Sequence, residues 1–281
     1  AVATLWIAIG ANAGLFSLVD AVLLEPIPYP DPDRVVNIAL TAPGTEFPDE
    51  FAVSTEFYVH YKEQSTLLDG VSVYGSGTST LRVGDRTERV RMSFPTWDLF
   101  ETLEVHPMMG RLPTAEDDGQ SFVLSYAAWQ SWFGSDPDVI GQSYYVAGQS
   151  RTVIGVMPQG FWVSNDDVLL WVPQTLRAED VTPGQFGWWP LMARLKPGVS
   201  IAALRSELDV LNRQLPERFG GSPRYAEMMT GGQVQPVIRT MEAQVLGDVK
   251  GPLWVLLAAV AMVLIIACAN VANLFFVRAE R

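Results

Sequence analysis

Apolar residues run together at the two ends of the chain and alternate with polar ones in between. From Gly251 to Val277 the only ionisable side chain is Cys268. A bilayer core of about 30 Å takes about 20 apolar residues in a helix, and a soluble helix of that length would carry a polar face. The pattern predicts a transmembrane helix over 251–277. Residues 1–24 carry one charge, Asp20, in an apolar stretch that includes Trp6, Ile7, Leu15, Phe16, Leu23 and Leu24. Two readings fit: the end of a first transmembrane helix, or a signal peptide in which Ala11-Asn12-Ala13 imitates a cleavage site. The basic n-region is missing and the apolar pattern continues past the site, which favours the helix. Pro26, Pro28, Pro30 and Pro32 then stop any helix.

Residues 25–250 read as a mixed α+β domain of short elements. Strands are predicted at 34–40, 71–74, 80–83 and 88–94, with a hairpin turn at Val83-Gly84-Asp85-Arg86. Ser54 is the predicted N-cap of a helix to Gln64, and 96–103 forms a short helix. A second block has strand 122–124, a helix from Ser125 to Gly134, and a hairpin of 143–146 with 151–156. A third has strand 191–195, the turn Lys196-Pro197-Gly198 and helix 200–215, where Leu204, Leu208 and Leu211 recur at helical spacing. Residues 219–235, rich in glycine, read as loop. The chain shows no internal repeat.

Charge sets the orientation and narrows the partners. Arg278 and Arg281 follow the second span, while Asp248 and Lys250 precede it, so the C-terminus is expected in the cytoplasm and 25–250 outside. With 31 acidic and 19 basic residues the net charge is −12. That excludes nucleic acid and a polybasic grip on anionic lipid. The only cysteine lies in the predicted span, so the outer domain rests on its own core without a disulfide.

Catalytic chemistry is not marked. His60 and His106 are far apart with no cysteine or further histidine beside them. Glu116-Asp117-Asp118 reads as a solvated acidic loop, as does Asp166-Asp167. Neither a G-x-S-x-G, an H-E-x-x-H nor a Walker motif occurs. The expectation is a protein that is not an enzyme, holds no metal or cofactor, and draws any energy from another polypeptide. Two residue groups stand out instead. In the second span Asn270 and Asn273 share a helical face, and Cys268 and Ala272 form a small-xxx-small pair, so the four are candidate helix-packing contacts. Phe161, Trp162, Trp171, Trp188 and Trp189 cluster between the second and third blocks. They make either a substrate surface or a core or subdomain interface; packing is the simpler account.

Five stretches in order carry a family resemblance. They are Ile9–Ser17 running on to Leu23-Leu24-Glu25-Pro26-Ile27-Pro28-Tyr29-Pro30-Asp31-Pro32-Asp33-Arg34; Val123-Leu124-Ser125-Tyr126 with Trp129, Phe133-Gly134, Asp136-Pro137 and Ile140-Gly141-Gln142; Val153–Pro158 with Gly160-Phe161; Ala193–Val199; and Ala267–Leu274. The sequence resembles a MacB-type periplasmic core domain joined to an FtsX-like permease segment, and within that class the ATPase-lacking orphan permeases of acidobacteria. The resemblance implies a porter-like βαβ unit from 33–94 and 188–246, a sabre-like insert over 95–187, flanking transmembrane helices at 1–24 and 251–277, and a cytoplasmic segment from 278. It further implies a permease subunit in the bacterial inner membrane, with 25–250 in the periplasm. The implied partners are a separate ATPase, a second permease half in a homodimer or pseudo-dimer, the lipid bilayer and a periplasmic adaptor. A sensor or regulator of the same architecture is the alternative function.

Overall fold

Strand β1 (Val35–Thr41) is a central strand of a four-stranded antiparallel sheet, ordered β11-β1-β10-β2, with β2 (Leu68–Val73), β10 (Leu191–Leu195) and β11 (Gln235–Thr240). The computed structural model describes residues 27–163, 167–185 and 189–247, with Gly10 and positions between 255 and 269. These divide into one unit of residues 28–241 and another of 1–27 with 242–281. Alternation decides the faces of the sheet. Val36, Ile38 and Leu40 of β1 and Leu191, Ala193 and Leu195 of β10 join a core with Phe57 and Tyr61 of helix α1 (Thr55–Gln64). The same core takes Leu204, Leu208, Leu211 and Leu215 of α4 (Ile201–Phe219) and Tyr225, Met228 and Met229 of α5 (Pro223–Thr230). Residues of the intervening register, Met192 and Arg194 among them, belong to the opposite face, where α2 (Leu99–Thr102) lies.

That packing is close at one point. A Cβ on Gly70 of β2 would sit 2.8 Å from Thr102 Oγ1 and 3.1 Å from Thr102 Cα, so only glycine lets α2 approach β2 this far.

The remaining strands form a second, seven-stranded sheet. In chain order they are β3 (Ser76–Val83), β4 (Arg86–Ser93), β5 (Met109–Gly110), β6 (Ser121–Leu124), β7 (Ser143–Val146), β8 (Gln149–Val156) and β9 (Leu170–Trp171). Their spatial order is β5-β8-β6-β9-β4-β3-β7, and β7 also pairs with β8. That extra pairing closes every strand except β5 into a barrel and removes its open edges. Leu81, Val90, Met92, Phe122, Leu124, Val146, Val153 and Val156 belong to its core. Helix α3 (Tyr126–Phe133) is capped as predicted: Ser125 Oγ accepts from the Ala128 N–H, and Gly134 closes the end at φ 61°.

Several expectations need correction. Residues 223–230 are helical, not loop, because Ser222 caps the Tyr225 N–H and Pro223 sits in the first turn. Ser54 stands at the N-cap position but caps no backbone N–H; its hydroxyl donates to Glu56 at 2.6 Å. The 96–103 helix shrinks to 99–102. The hairpin of β3 and β4 hydrogen-bonds in the seven-stranded sheet.

Helix α6 (Met241–Leu246) follows β11 directly, and from Glu242 onward the chain belongs to the other unit. The described positions between 255 and 269 are helical, and Val255, Met262, Ile265 and Ile266 among them are exposed. Among the described residues no helix is long and apolar enough to cross a membrane. Most of the predicted spans at 1–24 and 251–277 lies outside the described residues.

Candidate functional site

The two ends of the outer domain meet on one sheet. The chain enters β1 through Pro28–Arg34 and leaves β11 at Thr240, and the two strands pair antiparallel with Val36 opposite Thr240. Whatever precedes Pro28 and follows Met241 therefore joins neighbouring strands at the same end.

One buried cation ties this entrance to the rest. β10 reads Leu-Met-Ala-Arg-Leu and is buried throughout, with Arg194 1% exposed. Its Nη1 and Nη2 both donate to the Pro30 carbonyl at 3.1 Å, its Nε to the Thr102 carbonyl at 2.6 Å, and Nη2 also to Leu103 O at 2.8 Å. Glu104, largely solvated, is 3.5 Å away. Burial pulls the Arg194 pKa down, opposed mainly by Glu104. The guanidinium, carried by the centre of the sheet, thus holds two backbone segments to it: the entrance loop, and α2, which in chain order lies between barrel strands β4 and β5. Beside it Arg34 donates to Leu195 O at 2.9 Å and pairs with Asp69 at 2.6 Å. The entrance is clamped to the sheet twice.

Arg194 was visible in the sequence only within the Ala193–Val199 stretch. The signal that marks it is an isolated arginine among apolar strand residues at an interior position. A side chain that costly to bury must be matched by acceptors.

The aromatic group splits. Phe161 and Trp171 meet Phe100, with ring centroids 5.5–5.8 Å apart, and Trp171 is 1% exposed. Phe100, from α2, was not singled out in the sequence. Trp189 is half-buried and packs against the core of the four-stranded sheet. Trp162 is half-buried as well. Cys268 is at an exposed helical position, while Trp188, Asn270, Ala272 and Asn273 lie outside the described residues.

The acidic run at 116–118 is not simply solvated. Asp117 is buried and accepts from Arg111 at 2.8 and 2.7 Å and from the Thr114 N–H at 2.7 Å. These donors, Arg111 first, hold its carboxyl at about 2. Asp118 accepts from the Thr175 N–H at 2.9 Å. Both carboxylates brace turns. His60 Nδ1 faces Arg218 Nη1 at 3.0 Å, and since arginine only donates, the imidazole accepts there. Among the described residues no group of His, Cys, Asp or Glu could hold a metal.

The family model described as the MacB-like periplasmic core domain matches residues 1–211, three quarters of the chain. The chain belongs to this family. A search of curated proteins gives no match. Among solved structures, a domain of a protein described as a permease from Porphyromonas gingivalis is similar at 18% identity and TM-score 0.57, covering 76% of this chain and 93% of that one. The periplasmic region of MacB from Actinobacillus actinomycetemcomitans is similar at 14% identity and TM-score 0.53, covering 82% of this chain and 98% of that one. At these identities the structural likeness bears on the fold: the mixed α+β architecture is that of MacB periplasmic domains. The family match stops within α4, so α5 and β11, which completes the sheet beside the entrance strand, lie beyond it.

Proposed function

We propose that the chain is part of an inner-membrane permease subunit of a MacB/FtsX-type ABC system, which passes cytoplasmic ATP-driven motion to a periplasmic domain for the export or extrusion of substrates. The observation that carries this reading is the entrance geometry. The segments on either side of the domain join adjacent strands at one end, and Arg194 links that end to α2 and so to the barrel segment. Displacement of the flanking segments together would move the sheet as a body; displacement of one against the other would load the β1–β11 ladder. In this reading the four-stranded sheet is the porter-like part, the barrel is the sabre-like insert, and the insert begins near Gly75. Cys268, Asn270, Ala272 and Asn273 would pack the second span against a second permease half. The ATP would be hydrolysed by a separate ATPase subunit, and a periplasmic adaptor would receive the motion.

The test is purification of the complete parent protein from native membranes under gentle extraction, followed by mass spectrometry. A stoichiometric ATPase is expected. Its consistent absence would remove the energy source and leave a sensor or regulator of the same architecture.

A further inference from the structure

A cleft of about 290 Å³ opens beside the edge strand β2, walled by α1 and by the segment around α2. Lys62, Asp69, Trp97, Asp98 and Glu101 line it, so three carboxylates surround one ammonium. Asp69 is committed to Arg34. Asp98 is different: it is 5% exposed, and its Oδ2 accepts from the Tyr58 hydroxyl at 2.7 Å and from Lys62 Nζ at 2.5 Å. Its Oδ1 is buried and has no hydrogen-bond partner. Leaving a buried carboxylate oxygen unpaired is costly, and a carboxylate can accept several donors.

The Trp97 ring and the Tyr58 hydroxyl complete a site for a positive charge. Lys62 Nζ lies 4.5 Å from the Trp97 ring centroid, within the range of cation–π attraction. It also donates to the Tyr58 hydroxyl at 3.0 Å. A carboxylate, a hydroxyl and one ring face thus hold an ammonium on a flexible stem whose side chain is 36% exposed. The stem reaches in from the solvent side, and a free ammonium could take the same place.

We propose that this cleft binds a small primary amine, with Lys62 as its tethered and displaceable occupant. A ligand ammonium would take the Lys62 position on Asp98 Oδ2 or bridge both oxygens, with Trp97 against its alkyl chain. The exposed carboxylate of Glu101 would receive the second ammonium of a diamine, which makes a short diamine the preferred form. The Trp97 ring face favours an organic ammonium over a metal ion. This inference is independent of the transport reading and would stand or fall without it.

The probe is putrescine, titrated calorimetrically into the full chain in detergent at low ionic strength, with butane-1,4-diol as the uncharged control and butylamine as the monoamine. Wild type should bind putrescine and not the diol. Lys62→Met removes the internal competitor and should tighten putrescine at least tenfold, a gain that a purely structural lysine would not give. Glu101→Gln should bring putrescine down to the level of butylamine. Asp98→Asn should abolish binding; should that variant fail to fold, Lys62→Met and Glu101→Gln decide the matter. Binding of the diol as strong as that of putrescine, or no gain in Lys62→Met, would overturn the proposal.

Discussion

Replacing Arg194 by alanine takes a fork of donors away from carbonyls that stay where they are. The carbonyls of Pro30, Thr102 and Leu103 all lose their Arg194 partner, next to a side chain that is 1% exposed. Thr102 and Leu103 are buried and Pro30 is exposed, so two acceptors are left unpaired away from water, and each such acceptor costs about 1–3 kcal/mol. Hydrogen bonds to a charged group contribute about 1.5–3 kcal/mol each and relief of the guanidinium's desolvation offsets part of the sum, so a net loss of about 3–5 kcal/mol is expected. For a domain of this size about 2–4 °C is lost per kcal/mol, which gives a fall in Tm of about 6–20 °C. Urea and thermal unfolding of the full chain, followed by circular dichroism and tryptophan fluorescence, would read it. Arg194→Lys keeps the charge, but a single ammonium cannot span three carbonyls, so it should recover about half of the loss. Arg194→Met fills the volume and supplies no donor; because the carbonyls remain, it should be nearly as destabilised as the alanine variant. If Arg194→Met matched wild type, the entrance, sheet and α2 would not be joined through this residue, and the transmission argument would lose its linking element.

Asp117 sets a pH window. Its carboxyl is held at about 2 against an ordinary 3.8, so its contribution of about 2 kcal/mol is fully present above about pH 4 and disappears as pH falls towards 2. Urea unfolding between pH 2 and 5 should show that slope in wild type and a flatter one in Asp117→Asn; identical slopes would refute it. Burial and Arg218 lower the His60 pKa, so the folded state resists its protonation. Stability should decline as pH drops below about 6.5, and His60→Gln should remove that part of the decline in the same unfolding assay. Gly110 has φ +81°, and a Cβ there would lie 2.1 Å from the Ile154 carbonyl oxygen, so Gly110→Ala should cost at least about 2 kcal/mol and release β5 from β8, read by amide exchange at Met109 and Val156. Phe100→Ala empties the contact with Phe161 and Trp171 and should cost about 3–5 kcal/mol, with a red shift in Trp171 emission.

Local rules made much of this fold legible, and non-local pairing hid the rest. Helix α4 follows from its leucine spacing and from Ser200, which accepts from the Ala203 N–H. The hairpin of β7 and β8 follows from Ala147-Gly148, both at positive φ, a two-residue turn suited to strand twist. Gly220, Gly221, Gly231 and Gly232 surround helix α5 and disguise it as loop, although Ser222-Pro223 is also a helix-start pattern and Tyr225, Met228 and Met229 fall on one face. Pro236 argues against a strand and so hides β11; the sheet tolerates it at its edge, where no second neighbour needs the N–H. Barrel closure depends on β7 pairing with β3, about sixty residues away in sequence, and no local pattern encodes that. Asp117 read as solvated because its partner Arg111 acts across a turn and not through a recognisable motif. The aromatic group was seen as a run in sequence, whereas packing divides it between two cores.

The register of β2 on β10 has a consequence for how such a domain could be taken apart and rebuilt. Val73, where the chain leaves the four-stranded sheet, lies directly opposite Leu191, where it returns. The two cut points of the insertion are therefore antiparallel neighbours, close enough for a tight turn to join them. Cut there, the chain would close into a plain four-stranded sheet with its helices, and barrels of other length or surface could be grafted into the same gap. The graft would have to bring its own copy of α2, since Thr102 and Leu103 supply two of the carbonyls that Arg194 needs. Exchange of the outer module is thus permitted by strand register and limited by one arginine.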